Sequence, residues 1–323
     1  MSSYISGLKN LVTDAFKKPE ELPHHWYKYK TRFSMFGTVA SGKTSACSAI
    51  VVTAQILSSQ LEGFKCRVLE GSSDILSGAS LLRRGHFPKK TPVNEQIPFE
   101  AGLLIWWDQL LGTKKIHIPI SDTSGEVIQE SIIGTRGHMN PNPEMWGRLT
   151  TVGKYILNCD GVILVAPASR ALMFQDDVQL EAEPTSIDYD PDVNLARILN
   201  TILDHKDRNR QKLKGLSVLI TKWDLIAPYA ANWGMDLYDP TGQGLKQFME
   251  VCFPATSMAL KSYGLDNVQF FPSHIQVKRK ANGNLEKWPD GSDKIERIEE
   301  KRVPKYSESS YVALINWLKG FAG

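Results

Sequence analysis

The chain has 323 residues, of which 42% are hydrophobic and 23% are charged, a composition typical of globular proteins with a buried core. Its 38 basic and 35 acidic residues give a net charge of +3, too small to indicate nucleic acid binding on its own. No apolar stretch approaches the roughly 20 residues of a membrane-spanning helix, and the N-terminus lacks the features of a signal peptide. The four cysteines contain no CxxC pair, which predicts neither a disulfide framework nor a thiolate zinc site. We therefore expect a cytoplasmic protein without a nucleic acid partner.

Residues 1–29 are predicted to form an amphipathic helix and a linker. Apolar residues recur at helical spacing between residues 3 and 17, which favours a helix there. The polar face carries few lysines or arginines, so packing on the main domain is favoured over contact with a membrane surface or a partner.

Strands and helices alternate from residue 30 to residue 323, which we interpret as one domain. Predicted strands cover residues 31–36, 64–69, 161–166, 216–220 and 268–271, and predicted helices cover residues 43–61, 74–84, 143–158, 193–205, 243–263 and 311–321. The extended segments 99–108 and 114–122 predict an antiparallel pair. This alternation is typical of an α/β fold with a mostly parallel sheet. Three stretches are predicted to be insertions: residues 64–87, an acidic and turn-rich stretch at 175–192, and residues 275–306, which contain the hairpin signal Asn282-Gly283.

The clearest motif is Gly37-Thr38-Val39-Ala40-Ser41-Gly42-Lys43-Thr44, between a predicted strand and a predicted helix. This GxxxxGK[ST] pattern in that setting is typical of a loop that wraps the phosphates of a nucleotide. Backbone N–H groups and the helix N-terminus attract the phosphates, Lys43 would reach the β- and γ-phosphates, and the Thr44 hydroxyl would bind Mg²⁺. The residues predicted to contact the nucleotide here are Gly37, Ala40, Ser41, Gly42, Lys43, Thr44 and Ser45.

A second motif, Asp122-Thr123-Ser124-Gly125, follows the predicted strand at 114–122. A carboxylate at a strand end can hold Mg²⁺ through water, and the amide of Gly125 can contact the γ-phosphate. The DxxG pattern alone is weak evidence for a nucleotide site, because Asp and Gly are common in turns. Its position after the phosphate loop and a hairpin makes it informative.

A third motif, Thr221-Lys222-Trp223-Asp224, comes directly after the apolar strand at 216–220. Guanine presents two neighbouring N–H donors that one carboxylate can accept together, whereas adenine has no such pair. Asp224 is therefore predicted to read the base, with the Lys222 stem along the ring and the Thr221 hydroxyl bracing the loop.

These motifs, in this order, resemble the P-loop GTPases of the translation-factor and Ras-like class over residues 30–273. The resemblance implies a three-layer P-loop GTPase fold, with a mostly parallel sheet containing one antiparallel strand, that binds GTP or GDP with Mg²⁺. It implies that Thr91, in switch I, is a further Mg²⁺ ligand beside Thr44 and Asp122. It also implies that Ser273 and His274 contact the guanine O6. The residues it associates with catalysis are Lys43, Thr91, Gly125 and Glu126.

Two positions depart from the Ras-like pattern. Val39 replaces the usual glycine near the γ-phosphate, and Glu126 replaces the glutamine that orients the attacking water. Both changes suggest slow turnover, which an arginine can accelerate. Candidates within the chain are Arg83, Arg84 and Arg136, each of which also fits a solvated surface charge.

The extra elements at 64–87 make the layout look like the large prokaryotic GTPases of the double-GTPase type. We expect a GTP-hydrolysing regulatory switch that works with an unidentified effector or activating protein. The alternative is a GTP-dependent assembly or scaffold protein with negligible hydrolysis and possible self-association. An ATP-driven enzyme is disfavoured, because adenine has no donor pair for Asp224.

Overall fold

The computed structural model describes residues 31–38, 40–69, 73–89, 102–109, 112–118, 157–174, 190–226, 243–264, 267–300 and 303–322. The predicted helix at 3–17 and most of the predicted helix at 143–158 lie outside these residues. Within them, no helix is both long and apolar enough to cross a bilayer.

Helices and strands alternate along the described chain. The strands are β1 (Phe33–Gly37), β2 (Phe64–Val68), β3 (Leu103–Gln109), β4 (Gly112–Ile118), β5 (Gly161–Pro167), β6 (Gly215–Thr221), β7 (Val268–Pro272), β8 (Arg297–Ile298) and β9 (Val303–Pro304). The helices are α1 (Lys43–Gln60), α2 (Ser73–Arg83), α3 (Pro191–Arg208), α4 (Gln243–Cys252), α5 (Pro254–Tyr263) and α6 (Glu308–Lys319). Short 3₁₀ turns cover Ala168–Phe174 and Trp223–Leu225.

A four-stranded parallel sheet in the order β1-β5-β6-β7 forms the centre of the fold. Strands β1, β5 and β6 are buried along their whole length, as near-continuous apolar runs are when helices cover both faces of a parallel sheet. The predicted α/β class with a mainly parallel sheet is confirmed.

Strands β2, β3 and β4 form an antiparallel sheet beside the parallel one. The predicted antiparallel pair is confirmed as the β3–β4 hairpin, in which Leu103 lies opposite Ile118. Arg32, directly before β1, forms a parallel bridge with His117 of β4, and the His117 N–H donates to the carbonyl of Thr31 over 3.1 Å. The two sheets therefore meet along the β1 side of the parallel sheet.

The core has two parts, one on each face of the parallel sheet. Alternate side chains of a strand point to opposite faces; thus Phe36 belongs to the cluster with α3, α4 and α5, whereas Phe33 and Met35 belong to the cluster with α1, α2 and α6. All three side chains are almost completely buried.

The predicted helical region at 243–263 is confirmed except at Phe253, which separates α4 from α5. Pro254 takes the first position of α5; a proline has no N–H to continue a preceding helix and disfavours helical geometry in the residue before it. Phe253 accordingly has φ −133° and ψ 60°, and its side chain is fully buried.

The acidic stretch at 175–192 is predicted to be a surface insertion, but its last residues form the start of α3. Asp190 caps α3 by accepting from the Asp192 N–H over 2.9 Å. The Asp192 side chain is only 2% exposed and accepts from the N–H groups of Ala255 and Thr256 over 2.9 and 2.7 Å. It therefore caps α5 from a neighbouring helix. Residues 175–189 lie outside the described chain.

The segment after β7 packs against the end of α2. Its predicted hairpin is confirmed, because Arg279 and Leu285 form an antiparallel bridge around the turn at Gly283. The carbonyl of Gly85 accepts from the Trp288 indole N–H over 3.1 Å, and the Trp288 ring stacks on His86 with ring centroids 4.0 Å apart. The hairpin segment and the end of α2 thus form one packed unit.

Candidate functional site

Three loops leave the parallel sheet at the carboxyl ends of β1, β6 and β7. These ends carry, respectively, the loop that begins at Gly37, the loop after Thr221, and Ser273 with His274. In open α/β sheets, ligands bind in the crevice outside the carboxyl ends of the strands. All the described residues predicted to contact a nucleotide belong to these loops or to the first turn of α1.

The loop between β1 and α1 has a tight backbone. Gly42 and Ala40 have φ values of 80° and 57°, and the Ser41 N–H donates to the carbonyl of Thr38 over 3.2 Å. α1 begins directly after Gly42, at Lys43. Its first N–H groups are of the kind that bind anions. Val39 lies outside the described residues.

Gly37 is required by the close approach of two other segments. A Cβ atom at this position would lie 2.4 Å from the Ser41 hydroxyl oxygen and 2.9 Å from both the side chain and the carbonyl of Val165. The first glycine of the motif therefore lets the loop fold back over β1 while β5 stays paired with it.

The loop after β6 contacts the loop after β1 directly. The hydroxyl of Thr221, which is buried, donates to the backbone carbonyl of Ser41 and lies close to Gly42, where an added Cβ would be 3.5 Å from Thr221 Oγ1. This contact is the bracing role predicted for Thr221. Lys222 then turns the chain with φ 57°, and Trp223 is buried beside Phe248.

Asp224 follows this turn and is half-buried. Burial raises the pKa of its carboxyl group, because an apolar environment disfavours the charged form. The charges of His274, Arg279 and Lys222 act in the opposite direction. Burial likewise lowers the pKa of the His274 imidazole, an effect that the charge of Asp224 opposes. The charges of the two side chains therefore interact at the carboxyl ends of β6 and β7.

The loop after β7 is tied to the loop after β6 and to α6. The Trp223 N–H donates to the carbonyl of Ser273 over 3.1 Å, and the Ser273 N–H donates to the carbonyl of Ile220 over 2.7 Å. The Ser273 hydroxyl is hydrogen bonded to the buried Tyr311 hydroxyl. The His274 N–H donates to the Ser307 hydroxyl oxygen over 3.0 Å. Both amides associated with base contacts are therefore engaged inside the protein.

Arg83 does not extend from the end of α2 toward the phosphate-binding loop. Its guanidinium donates to the Gln55 side chain over 2.9 Å, and Gln55 lies 12 residues beyond Lys43 on α1, about 18 Å along the helix axis. Arg84 is exposed, and Arg136 lies outside the described residues. Arg83 therefore connects α2 to α1 and is not directed at the phosphate-binding motif.

The remaining predicted site residues, Thr91, Asp122, Gly125 and Glu126, lie outside the described chain. Of the three predicted Mg²⁺ ligands, only Thr44 belongs to the described part. It lies in the first turn of α1, beside Lys43, and its hydroxyl oxygen is of the ligand type that Mg²⁺ prefers.

Two residues that support the site were not singled out from the sequence. Ser307 and Tyr311 contact His274 and Ser273 across 33 and 38 positions. A serine directly before an apolar helix is a recognisable helix-start signal, but that signal does not reveal a contact with a distant loop.

A scan against protein-family models finds no match to this chain, and a search of the curated proteins finds no similar protein. The functional inference therefore depends on the residues and their geometry.

Proposed function

We propose that this chain is a Mg²⁺-dependent guanine-nucleotide-binding protein that hydrolyses GTP to GDP and phosphate and acts as a regulatory switch. The observation that carries the proposal is the hydrogen bond from Thr221 to Ser41. It holds the motif suited to phosphates against the motif suited to guanine.

The sheet supports a P-loop GTPase fold as part of this proposal. With the Arg32–His117 bridge taken as the join, β4 runs parallel to β1, and β3 is antiparallel to both of its neighbours. Such a sheet has one antiparallel strand, as the resemblance implies. β2 is then an additional strand at its edge.

In the proposed complex, the phosphates lie over the start of α1. The N–H groups of the loop and of the first helical turn donate to them, and Lys43 neutralises charge on the β- and γ-phosphates. Lys43 is 6% exposed, so its ammonium group would act in a partly desolvated site, where charge interactions are stronger.

Thr44, Thr91 and Asp122 would hold Mg²⁺, which neutralises charge that develops on the phosphates during transfer. The amide of Gly125 would contact the γ-phosphate. Loss of the γ-phosphate would release Thr91 and residues 122–126 and so change the affinity for a partner.

Asp224 would select guanine by accepting its two neighbouring N–H donors. Burial raises the pKa of this carboxyl group and so disfavours its ionised form; two donated hydrogen bonds would favour that form. Adenine supplies no such pair, so it would leave a half-buried carboxylate without compensation. An ATP-driven enzyme is disfavoured on this ground.

The proposed hydrolysis is slow in the isolated protein. Val39 adds bulk near the γ-phosphate, and Glu126 brings a negative charge to the position of the water-orienting side chain. Arg83 is held on Gln55, which favours an arginine supplied by an activating protein, an effect of about 10³ to 10⁵ in rate.

Nucleotide titration tests the binding proposal. We expect a fluorescent GTP analogue to bind with Mg²⁺ present and an ATP analogue to bind at least about 100-fold more weakly, consistent with two lost hydrogen bonds to a charged group. Lys43→Ala abolishes binding, whereas Lys212→Ala, an exposed lysine after α3, leaves it unchanged. Equal affinity for both nucleotides would contradict the proposal.

Base specificity is tested by Asp224→Asn. Xanthine carries a carbonyl where guanine has its amino group, so the variant should favour xanthosine triphosphate over GTP. The matched control is Asp207→Asn on the exposed end of α3, which should retain the guanine preference. An unchanged preference in Asp224→Asn would remove this residue as the base reader.

The second candidate is a GTP-dependent assembly protein with negligible hydrolysis, which Val39 and Glu126 favour. Phosphate release measured over a range of protein concentrations separates the two. A switch has a constant rate per molecule until an activator is added, whereas a self-activating assembly accelerates as its copies associate.

A further inference from the structure

Ser307 occupies the N-cap of α6 but does not use its side chain as a helix cap. A serine there ordinarily accepts from an N–H in the first turn of its own helix, yet Ser307 makes no such bond. Its hydroxyl oxygen instead accepts from the His274 N–H over 3.0 Å. The hydroxyl is therefore directed to the loop proposed to surround the base.

The backbone N–H groups of Ser273 and His274 and the Ser273 hydroxyl are all engaged within the protein. The Ser273 N–H donates to Ile220, the Ser273 hydroxyl is paired with Tyr311, and the His274 N–H donates to Ser307. A guanine O6 beside this loop is an acceptor that needs a donor, because a desolvated carbonyl without a hydrogen bond is costly.

Within the described part of the chain, the Ser307 hydroxyl donates only a long hydrogen bond. It accepts from His274, and its own O–H has the His274 carbonyl at 3.4 Å, longer than the usual O–H···O range of about 2.5 to 3.0 Å. A hydroxyl can accept and donate at the same time. Ser307 is half-buried, so a ligand can reach it.

We propose that Ser307 is a specificity-determining residue, whose hydroxyl donates a hydrogen bond to the O6 of guanine while it accepts from the His274 N–H. This inference rests on the proposed function. It transfers the contact with O6 from the loop amides to a side chain on the last helix.

The backbone geometry favours this relay over displacement of Ser307 by the base. The Ser307 N–H donates to the His274 carbonyl over 3.1 Å, so two hydrogen bonds fix these residues to each other. The Tyr311 hydroxyl, one turn further along α6, holds Ser273. Freeing the His274 amide would require breaking its 3.0 Å hydrogen bond to Ser307, whereas the relay gives up only the 3.4 Å hydrogen bond from the Ser307 hydroxyl to the His274 carbonyl.

Ser307→Ala tests the relay in the 323-residue chain. The relay predicts that the affinities for GTP and GDP fall about tenfold, the effect of one lost hydrogen bond of about 1.4 kcal/mol. Displacement predicts the opposite, because alanine frees the His274 amide for O6. Unchanged or increased GTP affinity overturns the proposal. Ser309→Ala, an exposed serine in the same helical turn, is the matched control and should bind as the wild type does.

A nucleotide altered only at position 6 separates recognition of O6 from a structural effect. The sulfur of 6-thio-GTP is a poor hydrogen-bond acceptor, so the wild type should bind it about tenfold more weakly than GTP. Ser307→Ala should bind the two nucleotides equally, and Ser307→Thr should restore the difference. Full discrimination in the folded alanine variant, shown by an unchanged melting temperature, also overturns the proposal.

Failure of this proposal is distinguishable from failure of the proposed function. If the wild type binds GTP with dependence on Asp224 but Ser307→Ala changes nothing, only the role of Ser307 is removed. If the wild type binds no guanine nucleotide, the proposed function fails and the role of Ser307 fails with it.

Discussion

The hydroxyl of Thr221 donates to the backbone carbonyl of Ser41 across 180 positions of the sequence. Thr221 ends β6 and Ser41 lies just before α1, so this bond fixes the distance between the two loops. The second acceptor near the hydroxyl is the carbonyl of Ala166, at 3.4 Å. The Thr221 hydroxyl thus lies between the loop after β1 and the end of β5.

Thr221→Val should loosen this connection without changing the volume of the side chain. We expect a loss of about 1 to 3 kcal/mol in the free energy of unfolding, because the carbonyl of Ser41 loses its buried donor, and about tenfold weaker GTP binding. Urea denaturation and nucleotide titration measure the two effects. Thr221→Ser keeps the hydroxyl and should restore both, and equal stability of the valine variant and the wild type would contradict the role of the bond.

Gly37→Ala should destabilise the protein by overpacking. The added methyl group would lie 2.4 Å from the Ser41 hydroxyl oxygen and 2.9 Å from Val165, and such a clash costs about 1 to 3 kcal/mol or more. Removing the hydroxyl with Gly37→Ala/Ser41→Ala should recover only part of the loss, because the contact with Val165 remains.

The control for this substitution is Gly283→Ala. Gly283 has φ 85° and open space around it, so alanine there should cost about 1 kcal/mol of backbone strain and leave nucleotide affinity unchanged. Thermal unfolding and titration of both variants make the comparison. Full GTP affinity in Gly37→Ala would show that the close packing of the loop is dispensable.

Asp224 should lower stability at neutral pH in the absence of nucleotide. Burial raises the pKa of its carboxyl group above the ordinary value of 3.8, so the folded state favours the protonated form. The stability that this group contributes is fully present below pH 3.8 and is lost as the pH rises through its folded pKa. The nearby charges of His274, Arg279 and Lys222 reduce this loss.

Asp224→Asn should therefore raise the melting temperature of the nucleotide-free protein at neutral pH. The difference from the wild type should shrink as the pH falls below the folded pKa of Asp224. Melting curves over a pH series measure this dependence, and Asp207→Asn serves as the exposed control. A lower melting temperature for Asp224→Asn at neutral pH would contradict the effect of burial.

Asp192→Ala should cost about 3 kcal/mol, the size expected when one member of a buried charged network is removed. The carboxylate accepts from two N–H groups of α5, and one of its oxygens lies 3.9 Å from the Arg170 guanidinium. The exposed Asp207→Ala on the same helix should change stability by less than about 0.5 kcal/mol. Chemical denaturation compares them, and equal effects would mean that the capping of α5 contributes little.

Hydrophobic periodicity predicted most of the described fold, because the central strands are continuous apolar runs. The run from Gly161 is entirely buried as β5, as its composition predicted. The helical region at 243–263 is divided at Phe253 because Pro254 begins α5, although the apolar pattern continues through Phe253. Asp192 could not be predicted to be buried, since its partners on α5 are 63 and 64 positions away.

In the candidate site, too, residues within contiguous motifs could be predicted, whereas residues that make long-range contacts could not. The loops at Gly37 and at Thr221 are contiguous motifs, so their residue types identify them. Ser307 and Tyr311 are 33 and 38 positions away from the residues that they contact. No local sequence pattern predicts such a contact. The contiguous motifs therefore identify the residues proposed to contact the nucleotide, whereas the residues that hold the loop at 273–274 carry no local signal of that contact.

The contact between Tyr311 and Ser273 also has a consequence for the nascent chain. A nascent chain that has emerged as far as Asp224 already contains both loops joined by Thr221 and Ser41. It lacks β7, which pairs with β6, and α6, which packs on α1. Because a domain generally folds as a unit, the loop at 273–274 takes its described position only in a chain that extends through α6, whose Ser307 and Tyr311 hold it.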